Sequence, residues 1–337
     1  SNGPYKIEER SSDELIMEKN PHYWDRREVS IPTLRFVFSD DSAKLTQRFN
    51  DDEIDWVAGG MLLDQVQYED TIQVNPLLAT TYFFMNTTGP GLDNPTVRRG
   101  LALLLPWSEI RSSDLHFVPA DTLVPSLPYY PEVEGITTQD VQKGLSLLED
   151  EGFPKGKGLG PIVLKMPDGS QNDPITQFVM DAWKEHLDVS VELETTPYDI
   201  YFDSLSQPGY SVGQISWIAD FADPLTFLQM WTSESNLNDS GFRNKKFDEL
   251  INTSMGQTGN RRYETLAESE QLLLDSAVVL PVSHSPAINL IDLNRVEGWY
   301  PNPLDIHPYK YLEFSGRRPL PGTANRGDIR VPAGLQR

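Results

Sequence analysis

Cysteine is missing altogether from these 337 residues. Its absence removes thiol nucleophiles, zinc–thiolate sites and disulfides from consideration, while leaving the redox compartment open. Long apolar runs are missing too: no stretch approaches the roughly 20 residues a helix needs to span a bilayer, and no signal sequence precedes Ser1. Positive charge is scarce, with 28 Lys and Arg against 50 Asp and Glu for a formal charge of -22. Such a surface opposes phosphate backbones and anionic headgroups over most of its extent, which argues against a nucleic-acid partner. Histidine is scarce as well. His22, His116, His186, His284 and His307 stand at no metal-ligand spacing from one another and no H-E-x-x-H occurs, so each reads as a surface or packing residue. Neither a metal nor a cofactor is expected.

What is present is an α/β pattern long enough for roughly two domains. Strand-like pieces at Tyr5–Glu8, Leu15–Lys19 and Thr33–Phe38 precede a helical segment from Asp40 to Asn50 and a short strand at Ile54–Val57. The acidic group Asp51-Asp52-Glu53 with Asp55 lacks the D-x-[DN]-x-[DN]-G spacing of a calcium loop and reads as a solvated turn. A strand from Thr81 to Asn86 leads to a bend at Gly89-Pro90-Gly91, where we place the crossing into a second lobe. Asn94-Pro95 and Asp173-Pro174 each pair a capping side chain with a proline in the first turn, and Thr137 with Asp140 makes a further capping pair. Strands at Ile162–Met166, Val189–Leu193 and Val212–Trp217 alternate with helices, including one near Tyr198–Leu205. Helices at Lys245–Met255 and Arg261–Ser276, then strands at Val278–Val282 and Ile288–Ile291, complete the pattern.

The chain is organised around the stretch from Gly213 to Ile251. A mostly apolar run, Ile215 to Ala219, reads as a buried strand that stops at Asp220, and Asp223-Pro224 announces a helix. Asp223, directly before proline, is the natural cap, which leaves Asp220 without a structural task. A carboxylate beyond the carboxyl end of a strand is well placed to meet a small cationic group. Replacing the lost water of a ligand's ammonium by such a fixed charge is worth about 1.5–3 kcal/mol net. Main-chain groups near Ile218 and Ala219 offer strand addition to an extended ligand, and Trp217 offers a wall.

The same stretch carries a resemblance. W-x-A-D-[FY]-x-[DE]-P with its following helices, Gly3-Pro4-Tyr5-Lys6-Ile7 with Asn20-Pro21-His22-Tyr23-Trp24, and Asn302-Pro303-Leu304-Asp305-Ile306 occur in the order found in the peptide-type solute-binding proteins of ABC importers, solute-binding protein family 5. The chain resembles that family over nearly all of residues 3 to 314. The resemblance implies a two-lobed periplasmic-binding-protein-like fold (type II, cluster C) that lacks the N-terminal part of the large lobe and the small extra domain. It implies residues 3–90 as the rest of the large lobe, 91–288 as a C-terminal ligand-binding lobe, 289–314 as the return, and 315–337 as a basic tail. It further implies a monomeric carrier on the periplasmic or extracytoplasmic face that closes two lobes on a small peptide and delivers it to a membrane permease. Tyr198 stands where the family often has an aromatic lining residue, so Asp220, Trp217, Ile218, Ala219 and Tyr198 form the expected ligand site. One departure is clear: Tyr198 to Ser216 contains no Lys or Arg to hold a ligand carboxylate. Nickel-chelate, sugar or other amine-bearing ligands stay open.

Two further patterns point elsewhere. Gly209-Tyr210-Ser211-Val212-Gly213 matches G-x-S-x-G formally, but a turn precedes Ser211 and a strand follows it, the inverse of a nucleophile elbow. No enzyme is expected, and a serine hydrolase through Ser211 is the alternative. Residues 315–337 hold five Arg and one Asp, so the tail is basic where the rest is acidic, and it is expected to lie against the acidic body. Its Arg326-Gly327-Asp328 is a chance-frequency tripeptide.

Overall fold

The computed structural model describes residues 2–113 and 118–315 together with the backbone of 328–331. His116 and, apart from that backbone, the tail from 316 onward with its Arg326-Gly327 pair lie outside the described residues. By contact the chain forms two compact units, Ser1–Leu77 with Pro286–Arg337, and Leu78–Ser285.

In the first unit β1 (Tyr5–Arg10) and β2 (Glu14–Lys19) form an antiparallel hairpin, and β2 continues antiparallel onto β3 (Thr33–Val37). Tyr5 is buried and its hydroxyl donates to the carbonyl of Ile31 at 3.0 Å, which pins the hairpin to the loop before β3. Helix α1 (Ser42–Asn50) starts where the Asp41 side chain accepts the amide of Lys44, and it buries Leu45 and Phe49. β4 (Trp56–Ala58) follows. The acidic turn between them is not merely solvated: Asp52 and Asp55 both accept from Arg295 at 3.0 Å, and Arg48 holds Glu53 at 3.1 Å. A cation 240 residues away allows Asp55 to be buried as a carboxylate.

β5 (Ile72–Met85) is a single strand, longer than the Thr81–Asn86 segment expected from sequence. Pro76 hid its beginning, since proline removes one ladder donor yet keeps an extended φ within reach. The boundary between the units falls inside this strand, well before the Gly89–Gly91 bend. That bend serves packing in the second unit instead. Gly91 has φ +73°, and a Cβ there would lie 2.6 Å from Leu159 and 2.8 Å from Phe153.

The second unit adds α2 (Pro95–Leu103), capped by Asn94 through the amide of Thr96, then α3 (Trp107–Ile110) and α4 (Val141–Asp150), capped by Asp140 through the amide of Lys143. β6 (Ile162–Pro167), α5 (Pro174–His186), β7 (Val191–Thr196), α6 (Tyr198–Leu205) and β8 (Val212–Ile218) follow. The helix expected after Pro224 is only a short turn, α7 (Leu225–Leu228), before α8 (Lys245–Ser254) and α9 (Gly259–Asp275). β8 is antiparallel to β5 across seven residue pairs, from Ala79↔Ile218 to Met85↔Val212, and parallel to β6, which is parallel to β7. One face of β6, with Ile162, Leu164 and Met166, packs on Leu101, Leu148, Val179 and Trp183 from α2, α4 and α5. The opposite face carries an aromatic group in which Phe84 meets Tyr210 and Trp231 edge-on.

β9 (Val279–Ile291) joins what sequence suggested were two strands, Val278–Val282 and Ile288–Ile291, because Pro286 between them looks like a break. Its last residues pair with β4 in the first unit, Trp56 opposite Ile291. β10 (Val296–Glu297) pairs with β11 (Glu313–Phe314), and the backbone of β12 (Asp328–Val331) lies parallel to β3. Trp56, Trp299, Leu34, Phe36 and Leu312 form the core of this unit, with His307 stacked on Trp299. Among the described residues no helix is long and apolar enough to cross a membrane.

Candidate functional site

The candidate site is built on the end of β8. Ala219 donates its N–H to the carbonyl of Leu78 at 2.8 Å. Main-chain groups in a strand alternate in direction, so Gln214, Ser216 and Ile218 direct theirs to the other flank, toward β6. β6, however, pairs with β8 only at Leu164↔Val212 and Lys165↔Gly213. At Gln214 a side chain takes over the strand's role: the Gln214 amide donates to the Tyr201 hydroxyl at 3.1 Å. That hydroxyl stands 2.9 Å from the Gln214 carbonyl and 3.0 Å from the Lys165 carbonyl, either of which can accept its hydrogen. Beyond this point, among the described residues, no strand pairs with that flank of β8, and Ser216 and Ile218 are both exposed.

The five residues expected from sequence fall into distinct places. Asp220 is exposed two residues past β8, and its amide donates to the buried Thr226 hydroxyl at 3.1 Å, which fixes the turn. Trp217 is half-buried on β8 opposite Thr80, and its indole nitrogen is shielded from water with no hydrogen-bond partner among the described residues. Ile218 is exposed with its main chain on the open flank. Ala219 is buried and its N–H is committed to Leu78, so of the two main-chain positions Ile218 is the one whose amide faces the flank away from β5. Tyr198 opens α6, half exposed, with its ring edge-on to Phe202 at 5.7 Å, and Phe202 in turn lies 5.5 Å from Tyr201.

Two residues that sequence did not single out hold this region. Tyr201 is one; Arg262, on α9, is the other. Its guanidinium donates to both oxygens of Asp223 at 2.7 and 2.8 Å, while Asp223 also accepts the amide of Leu225 at 2.9 Å. Asp223 thus has the structural task assigned to it, plus an ion pair. Further along α9 the buried Glu270 accepts from the amides of Leu123 and Val124 at 2.8 and 2.9 Å and from the Tyr130 hydroxyl at 2.8 Å. Burial raises its carboxyl to about 7 against these donors. Nearby, His284 contacts the Thr80 hydroxyl at 3.0 Å, and burial lowers the imidazole to about 4. Because Thr80 donates its own hydrogen to the Leu123 carbonyl, the His284 Nδ1–H is the donor in that contact.

Among the described residues Ser211 does not stand in a catalytic arrangement. Its Oγ accepts the amide of Val163 at 3.2 Å, its own amide donates to the Val163 carbonyl, and β8 begins at the next residue. Among the described residues no three His, Asp or Glu groups could hold a metal ion together. Two cavities of about 190 and 330 Å³ lie in the first unit, lined by α1 and its neighbours, and β8 contributes to neither.

Comparison with known proteins agrees with this architecture. The oligopeptide-binding protein OppA of Bacillus subtilis is 28% identical over 305 residues, covering 84% of this chain and 55% of its own length. Among solved structures, the murein tripeptide binding protein MppA of Escherichia coli superimposes with a TM-score of 0.79 at 22% identity, over 93% of this chain and 64% of that one. Haemophilus influenzae OppA, solved in complex with the peptide RPPGFSPFR, gives 0.77 at 20% identity, over 93% and 64%. The chain therefore spans a little over half the length of the curated relatives it matches. A profile described as "Bacterial extracellular solute-binding proteins, family 5 Middle" matches residues 1–239. With the majority of its residues matched by that profile, and with the fold and strand order just described, the chain belongs to the bacterial extracellular solute-binding proteins of family 5.

Proposed function

We propose that this chain supplies the ligand-contacting strand of an extracytoplasmic carrier that binds small peptides, as a monomer and without chemistry or cofactor, and hands them to the permease of an ABC importer. The observation that carries the reading is the flank of β8: main-chain groups at Ser216 and Ile218 point away from β5 with no strand beside them among the described residues, and a carboxylate, Asp220, stands two residues further on. An extended peptide laid along that flank gains ladder hydrogen bonds that ignore its side chains, and its ammonium meets Asp220. Trp217 and Tyr198 add aromatic surface on the same unit. The peptide complexes of structurally similar proteins support the ligand class, and the family's extracellular description supports the location.

Native mass spectrometry of the purified protein tests this reading. We expect a co-isolated distribution of short peptides that is diminished in Asp220→Asn. A single non-peptide adduct, such as a nickel chelate or a sugar, retained by the variant would overturn it.

A further inference from the structure

Resting on the reading of β8 as the ligand-contacting strand, we propose that Tyr201 is a positioning residue: its hydroxyl ends the β6–β8 ladder and holds a strand-wide slot open, which selects ligands with an extended amide backbone over chelates or sugars.

The physical case begins with the ladder itself. Two parallel neighbours sit about 4.8 Å apart and pair where both supply donors and acceptors; past Lys165 the next β6 residue that faces β8 is Pro167, which offers its carbonyl but no N–H. β6 continues through Met166 and Pro167, both in register with β7, yet its pairing with β8 stops at Lys165↔Gly213. At that point a phenolic oxygen from α6 stands between the carbonyls of Lys165 and Gln214, at 3.0 and 2.9 Å, and receives the Gln214 amide at 3.1 Å. With an oxygen inserted, the two main chains are too far apart for a direct N–H···O bond. Splitting a sheet normally strands buried polar groups. Here one side chain satisfies the groups at the fork, so the strands diverge without that penalty.

Tyr201 is suited to the task. It is 1% exposed, so the oxygen is fixed by packing, and burial lifts the phenol to about 12, so it keeps its hydrogen. Past the fork, Ser216 is braced from the β5 side, where its hydroxyl lies 2.7 Å from that of Thr81. Among the described residues no strand meets the amides of Ser216 and Ile218, which leaves them to water or to a third backbone. A strand fits such a gap because its donors and acceptors repeat at the spacing of the strand it joins. A chelate or a sugar has no such repeat.

The test is a double comparison on the 337-residue chain, followed by amide NMR and read as affinity. Tri-alanine is titrated against its depsipeptide analogue, in which an ester replaces the second of its two amides, for the parent, Tyr201→Phe and Tyr210→Phe. Tyr210 is a second buried tyrosine whose hydroxyl donates to the Leu205 carbonyl at 2.8 Å, so its variant removes a buried hydroxyl while keeping the three contacts that the Tyr201 hydroxyl makes at the fork. We expect fast amide exchange at Ser216 and Ile218 in the free parent, and shifts at both with tri-alanine. Tyr201→Phe should weaken tri-alanine about tenfold and the depsipeptide less than twofold, whereas Tyr210→Phe should change neither beyond twofold. Equal losses for both ligands, or unchanged tri-alanine affinity in Tyr201→Phe, would overturn the proposal. Asp220→Asn with tri-alanine and N-acetyl-tri-alanine separates the two levels. Discrimination there with a silent Tyr201→Phe sinks only the slot, while no discrimination and no shift along β8 removes the site and the slot together.

Discussion

Arg262 holds Asp223 through both terminal guanidinium nitrogens, at 2.7 and 2.8 Å, across 39 residues of chain. The pair is 18% and 24% exposed, so water screens it only in part. Because Asp223 also accepts the Leu225 amide and stands three residues from Asp220, the ion pair fixes the turn that carries the candidate anchor. Arg262→Met should destabilise the second unit by about 2 kcal/mol, in the range for hydrogen bonds to charged groups. Arg262→Lys should recover less than half, since an ammonium cannot reproduce the two-pronged geometry. Urea midpoints for the three proteins decide the matter, and a lysine variant equal to the parent would show that charge alone suffices.

Asp220 itself makes a chemical prediction. In Asp220→Asn the backbone N–H of residue 220 still donates to the Thr226 hydroxyl and keeps the turn, but the charge is lost. A tripeptide with a free amine should bind about 10–100-fold more weakly, and the N-acetylated tripeptide should be unaffected, which follows from a charge-assisted bond of about 1.5–3 kcal/mol. Calorimetry with the two ligands reads the difference directly. Equal losses would mean that Asp220 acts through the fold and not on an ammonium.

Gly213 sits beneath α6 at the last residue pair that β8 makes with β6. A Cβ there would lie 2.6 Å from two ring atoms of Phe84 and 3.2 Å from Leu205. Phe84 is 1% exposed and held edge-on by Tyr210 and Trp231, so its ring has nowhere to move. Gly213→Ala should therefore destabilise the unit by about 1–3 kcal/mol. In Gly213→Ala with Phe84→Leu the smaller side chain admits the methyl group, and the combined loss should be less than the sum of the two. Additive losses would place the clash elsewhere.

The helices of the second unit were legible because local chemistry marks their starts. Asn94 and Asp173 are read as caps from neighbouring residues alone, and each accepts the amide that the pattern requires, while the pair read at Thr137 and Asp140 resolves to Asp140 as the cap, three residues later than a Thr137 cap would start the helix. The two long strands were legible only in pieces. Pro76 and Pro286 carry a strong local signal for a break, which pairing along β5 and β9 overrides. For the site, an acid at a strand end is visible in sequence and Asp220 is found there. Tyr201 and Arg262 were not visible, because what distinguishes them is a partner 36 residues away at Lys165 or 39 away at Asp223. The same holds for Asp55, read as solvated until Arg295 is brought against it by folding.

Two buried groups of the second unit respond to pH with opposite sign. Glu270 has its carboxyl raised by burial from 4.5 to about 7, so the folded state favours its protonated form. Its contribution to stability is complete below pH 4.5 and is lost as the pH rises through 7. Asp239, raised by burial to about 6, acts in the same direction. His284 has its imidazole lowered by burial from 6.5 to about 4, so the folded state favours the neutral ring. Its contribution is complete above pH 6.5 and is lost as the pH falls through 4. Each of the Glu270 and His284 shifts corresponds to about 3 kcal/mol in full, so between pH 4.5 and 6.5 the two offset each other. Relative to the parent, Glu270→Gln should gain stability as the pH is raised from 4.5 to 7, because the amide oxygen still accepts from Leu123 and Val124 while no charge is buried. His284→Asn should gain, relative to the parent, as the pH is lowered from 6.5 to 4. Urea midpoints of the three proteins at pH 4.5, 5.5, 6.5 and 7 provide the measurement, and variant curves running parallel to the parent's would show that neither group changes its protonation on folding.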